Sequence, residues 1–148
     1  MRILIVEDDA EKAKSIESYI SEKFSSISTN VVQSYHDGVE YAMNGKYDII
    51  ILDMSIPAFE GQDSCRGETL KNGGEIIVRE LLDEDIKFRC LVITQYETFN
   101  NESLETIDKR LRKLCGNSYL GCIKYDTYND DWKDKLKNVL ENVFGINN

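Results

Sequence analysis

Short, wholly apolar runs alternate along this chain with longer stretches whose apolar residues recur every three to four positions, and that alternation restricts the fold more than any other feature. Residues 3–6, Ile49–Leu52 and residues 91–93 are continuous apolar runs, the pattern of strands buried on both faces. Val31-Val32 marks a weaker strand, and residues 120–123 a further one. Between them the spacing predicts helices. Residues 10–24 carry Ala13, Ile16, Ile20 and Phe24 on one face. Residues 37–43 form a short helix that Gly45 is placed to end, and residues 75–82 follow the Gly73-Gly74 pair. Residues 103–115 and 131–144 complete the set. Parallel strands need long crossover connections, usually helical, so five strands alternating with five helices predict one α/β domain: a parallel sheet covered on both faces.

In such a sheet the working site lies at the carboxyl ends of the strands. Polar groups stand at four of those tips: Glu7, Asp8 and Asp9 after the first strand, Asp53 after the third, Thr94 after the fourth and Lys124 after the fifth. Glu7, Asp8 and Asp53 gathered at one edge would repel one another unless a cation lay among them. Mg²⁺, or Mn²⁺, is the natural occupant, a hard ion that takes oxygen ligands. An aspartate held there is a plausible nucleophile toward a phosphoryl group. The Lys124 ammonium and the Thr94 hydroxyl can then serve the equatorial oxygens.

Composition narrows the partners. The net charge of −9 argues against direct nucleic-acid binding, because phosphate backbones select basic surfaces. No apolar run reaches the roughly 20 residues of a membrane span, and residues 1–8 turn acidic too early for a secretory signal, so a cytoplasmic location is expected. Cys65, Cys90, Cys115 and Cys122 form no C-x-x-C pair, and the lone His36 makes no metal pattern with them; reduced, structural thiols are expected, with Cys65 in a polar stretch as the one candidate for redox chemistry.

Taken in order, residues 3–9 ending Glu7-Asp8-Asp9, then Asp53-Met54-Ser55-Ile56-Pro57 with Gly61, then Val92-Ile93-Thr94, then Ile123-Lys124 resemble the receiver domain of two-component response regulators over essentially the whole chain. The resemblance implies a flavodoxin-like, doubly wound (βα)5 fold with strand order 2-1-3-4-5. It implies that Asp53 is the phosphoacceptor, and that Asp53, Asp8, Glu7 through water and the Ser55 backbone carbonyl hold Mg²⁺. Thr94 and Lys124 would bind the phosphoryl oxygens. The donor would be a histidine kinase or phosphotransfer protein. The product would be a signalling switch rather than a turnover enzyme, acting on a downstream protein and compatible with a homodimer. The chain ends soon after the fifth helix, so a single receiver domain over residues 1–148 without an output domain is expected. Asp9 falls outside the acidic pair and reads as a helix cap.

The chain departs from the family pattern at several places. Tyr125 follows Lys124 where the family has a cis-proline, so a trans bond is expected. Gly121 stands three residues before Lys124, where an aromatic switch residue is usual, and Tyr119 lies two residues too early; a bulged strand or a missing Thr-to-aromatic coupling follows. Gln95 and Tyr96 replace a small residue after Thr94, which suggests slow loss of the phosphoryl group. Residues 62–73 are an inserted polar loop, a lid, a partner-selecting element or a tolerated surface insertion. Lys109, Arg110, Arg112 and Lys113 make the fourth helix basic, as a docking face for an acidic partner or as a solvated face. Two rival functions remain. One is a degenerate receiver that binds without phosphorylation. The other is an aspartyl-phosphate phosphatase, disfavoured because Ser55 stands where such enzymes carry a second acid.

Overall fold

The computed structural model describes residues 1–57, 69–70, 73–95, 98–99 and 102–145. Five strands build one parallel sheet: β1 (Arg2–Val6), β2 (Ser28–Val32), β3 (Ile49–Leu52), β4 (Cys90–Thr94) and β5 (Tyr119–Lys124). Their spatial order is 2-1-3-4-5, as the resemblance implies. Five helices alternate with them: α1 (Ala10–Lys23), α2 (Tyr35–Asn44), α3 (Gly73–Asp83), α4 (Leu104–Cys115) and α5 (Asp131–Phe144).

Strand alternation divides the interior into two layers. Leu4, Val6, Ile50, Leu52 and Val92 face α2, α3 and α4, whereas Ile3, Ile5, Ile49, Ile51, Leu91 and Ile93 face α1 and α5. Full burial of an aliphatic side chain is worth about 1.5–3 kcal/mol, so every residue of β3 stabilises one layer or the other. That is why β3 carries no polar residue. β2 lies on the sheet edge and is buried only in part.

The helix starts are fixed by side-chain oxygens. Asp9 accepts from the backbone N–H groups of Glu11 and Lys12 at 3.0 and 3.1 Å, as its reading as a cap requires. Ser34 caps α2, which therefore begins two residues before the expected 37. Ser103 caps α4 instead of opening it.

Two short antiparallel ribbons stand apart from the main sheet. Ile56–Pro57 pairs with Thr69–Leu70, and Thr98–Phe99 with Glu102–Ser103. The expected loop over 62–73 is thereby corrected: residues 69–70 pair with the segment after Asp53, and Gly73 already belongs to α3. The rest of that stretch, with Gly61 and Cys65, lies outside the described residues, as does Tyr96.

β5 carries the largest irregularity. Cys90 pairs with Tyr119, but Val92 pairs with Cys122, so one extra residue is inserted in β5. Gly121 supplies it, with a φ of +119°, a conformation that a side chain would strain. Beyond the bulge the register resumes, with Thr94 opposite Lys124.

Candidate functional site

The carboxyl ends of β1, β3 and β4 lie side by side along one edge of the sheet. Glu7, directly after β1, is buried at 2% exposure, and Asp53, directly after β3, at 5%. Asp8 is exposed. Carboxylate oxygens of Glu7, Asp8 and Asp53 lie within 4.8 Å of one another, so the three acids form a single cup. Such a set of hard oxygen donors suits Mg²⁺ or Mn²⁺. The backbone of Met54 donates to Asp53 Oδ1 at 2.8 Å and fixes one carboxylate oxygen. Ser55 follows, half-buried.

α3 closes the cup from below. A Cβ on Gly74 would stand 2.5 Å from the Asp53 carbonyl oxygen and 2.6 Å from Met54 Cε. Only glycine lets the first turn of α3 approach the backbone of Asp53 so closely, which accounts for this half of the Gly73-Gly74 pair.

Thr94 is buried at the tip of β4. Lys124, at the end of β5, holds the register position opposite it and is exposed. The Lys124–Tyr125 bond is trans, as expected. The Tyr125 N–H donates to the Thr94 carbonyl at 2.8 Å, a bond that proline, lacking the N–H, could not make. Tyr119 pairs with the opposite end of β4 from Thr94, and its hydroxyl donates to Asp108 at 2.6 Å. Four residues of strand separate it from Thr94, roughly 13 Å, so Tyr119 does not serve as the aromatic partner of that threonine.

Lys12 is the residue that sequence reasoning missed. Its side chain, 1% exposed, runs from the first turn of α1 into the base of the cup. The ammonium stands 2.5 Å from Glu7 Oε1 and 3.4 Å from Asp53 Oδ2, and it donates to the Ile93 carbonyl at 2.7 Å. The signal was present in the sequence: Lys12 lies one turn before Ile16 on the stripe 12-16-20, where a lysine must either leave the core or find acids within it.

Electrostatics follow the burial. Loss of water raises the Glu7 carboxyl above its ordinary value; the Lys12 ammonium opposes that shift and Asp53 adds to it. Asp8, exposed on its outer side, is also raised, first by the partial loss of water around its carboxyl inside the cup.

A second charged group ties α3 to α4. Arg110 forks onto Glu75, with contacts from 2.7 to 3.1 Å, and onto Glu102 at 2.6 and 2.9 Å. Arg79 reaches Glu75 at 3.0 Å. Burial pushes the Glu75 carboxyl up, but the bonds from Arg110 and Arg79 outweigh it and hold Glu75 below its ordinary value. The basic face expected on α4 is therefore largely internally compensated: Arg110 holds Glu75 and Glu102, Lys109 pairs with Glu105 at 3.2 Å, and Arg112 approaches Asp108 at 3.7 Å.

Comparison with known proteins bears on the family and the fold. The family profile described as "Response regulator receiver domain" matches residues 3–109. The uncharacterized protein y4jR of Sinorhizobium fredii is 29% identical over 94% of this chain and 96% of its own length. The Detocs response regulatory protein DtcB of Enterobacter cloacae is 26% identical, covering 95% of this chain and 99% of its own. Among solved structures, the phosphorylated cyanobacterial phytochrome response regulator RcpA superposes with a TM-score of 0.70 at 15% identity, covering 99% of this chain and 96% of its own. The response regulator TrrA of Thermotoga maritima, in complex with Mg²⁺ and BeF, gives 0.61 at 17% identity, covering 93% and 97%.

Proposed function

The chain belongs to the response-regulator receiver family, and from that premise we propose that it is a phosphorylation-controlled signalling switch whose phosphoacceptor is Asp53. The observation that carries the proposal is the gathering of the Glu7, Asp8 and Asp53 carboxylates, from two strand tips, within 4.8 Å of one another. The donor is a histidine kinase or phosphotransfer protein. A carboxylate oxygen of Asp53 forms the new P–O bond while the donor's P–N bond breaks, and the leaving imidazole takes up a proton. Asp8 and Asp53, the Ser55 carbonyl, and Glu7 through water would hold Mg²⁺, which when bound neutralises the acids and the charge of the transferred group.

Phosphorylation adds about −1.5 to −2 charge and three acceptor oxygens at Asp53. Thr94, buried at the end of β4, and Lys124, opposite it, are the groups to meet them. Asp53 also abuts the first turn of α3 through Gly74, and α3 grips α4 through Glu75 and Arg110. The output is a change in protein–protein binding on the α4, β5 and α5 side. Such a role belongs to the cytoplasm and to a signalling domain rather than a turnover enzyme. No helix among the described residues is long and apolar enough to cross a membrane.

The test is incubation with Mg²⁺ and acetyl phosphate, followed by intact-mass measurement. A phosphoryl adduct on the wild-type chain that is absent from Asp53→Asn is expected. An adduct of equal yield on the variant would sink the assignment. The rival, a receiver that binds its partner without phosphorylation, is favoured by one observation: the Lys12 ammonium already stands beside Asp53. No adduct on the wild-type chain under any donor, together with unchanged partner binding by Asp53→Asn, would decide for it.

A further inference from the structure

Lys12 heads the large side chains with under 2% exposure, yet it is a cation. Taking an ammonium out of water is costly unless oxygens of opposite charge surround it. Here the ammonium donates to the Ile93 carbonyl at 2.7 Å and pairs with Glu7 Oε1 at 2.5 Å and Asp53 Oδ2 at 3.4 Å. The Tyr125 ring adds an aromatic face, its centroid 5.8 Å from Nζ. The position is held from outside as well, since the Asp9 cap binds the backbone N–H of Lys12 at 3.1 Å. Two of the three cup acids, Glu7 and Asp53, are thus in contact with a positive charge that belongs to the chain itself.

We infer that Lys12 is a built-in counter-cation of the Asp53 cup, which keeps the acids assembled without a metal and competes with Mg²⁺ for them. The inference rests on the reading that the cup binds Mg²⁺. A divalent ion entering beside Lys12 meets both the carboxylates and an ammonium of its own sign, so its affinity is set by the difference. Removing the ammonium while keeping a flexible, unbranched side chain of similar length should strengthen metal binding. One unit charge at such range, at the effective dielectric of a protein, is worth roughly tenfold or more in affinity.

Mg²⁺ binding to the wild-type chain and to Lys12→Met is measured by isothermal titration calorimetry, with circular dichroism to verify folding. The expected result is a Kd lower by roughly tenfold or more in the variant. In parallel, the Lys12 ε-carbon resonance of the wild-type chain is followed during the Mg²⁺ titration; it should move with the same midpoint as the calorimetric isotherm. That second measurement decides the matter if the variant does not fold. Equal affinities in the two chains, or a Lys12 resonance that stays still while Mg²⁺ binds, overturn the counter-cation and leave the phosphoacceptor reading standing. Absence of Mg²⁺ binding by both chains overturns the two together.

Discussion

Replacing Arg110 by Met should loosen the join between α3 and α4, and the expected size follows from its contacts. Arg110 gives Glu75 a fork of bonds between 2.7 and 3.1 Å, and gives Glu102 two more. A hydrogen bond to a charged group contributes about 1.5–3 kcal/mol, but bonds from one guanidinium do not add. Glu102 is one-third exposed, so its share is small, on the order of 0–1 kcal/mol. Glu75 is buried, and the variant leaves its carboxylate with the half-exposed Arg79 alone. Breaking a fully buried pair costs about 3–5 kcal/mol; with Arg79 retained, about 2–3 kcal/mol is expected, a Tm loss of roughly 5–10 °C.

The sign with pH is fixed. The folded-state pKa of Glu75 is held below its ordinary 4.5, so the stabilisation is present above that value and is lost as pH falls through the lower folded value. Urea unfolding of wild type and Arg110→Met at neutral pH and near pH 3 tests both claims. The gap should be widest at neutral pH and should shrink in acid. A gap under about 0.5 kcal/mol at neutral pH, or one of equal size at both, would refute the reasoning.

Two further outcomes depend on the same region. Gly74→Ala drives a Cβ to 2.5 Å from the Asp53 carbonyl; it should cost about 1–3 kcal/mol in urea unfolding and slow phosphorylation of Asp53 by acetyl phosphate, and a rate equal to wild type would show that α3 does not set the cup. Asp9→Ala removes the cap on Glu11 and Lys12 and should lower stability by about 1 kcal/mol, read as a fall in Tm of a few degrees; an unchanged Tm would mean the first turn of α1 is held by the buried Lys12 instead.

Several elements were legible to the residue. β3 is Ile49–Leu52 and α5 is Asp131–Phe144, as the apolar run and the helical stripe predict, because both are defined by which side chains leave water. β2 begins at Ser28, well before the Val31-Val32 pair, because its polar residues join the sheet through backbone pairing with Arg2 to Leu4 rather than through burial. The sequence at Gly121 permits a bulged strand or a missing coupling; the register with β4 shows an inserted residue, and it also leaves Tyr119 opposite Cys90, away from Thr94. The basic pattern of α4 does not reveal that Arg110 pairs with Glu75, 35 residues away, because only the packing of α4 beside α3 brings the two together.

By itself the sequence determined the βα alternation, the strand tips that carry Glu7, Asp53, Thr94 and Lys124, and the cap at Asp9, since each follows from local pattern and from the rule that buried strands leave only their ends for polar groups. Only the tertiary structure decided that Lys12 belongs with those acids. Its ammonium is tolerated in the interior because Glu7, Asp53 and the Ile93 carbonyl, from three different strand ends, converge on it, and no local pattern states which distant groups will meet.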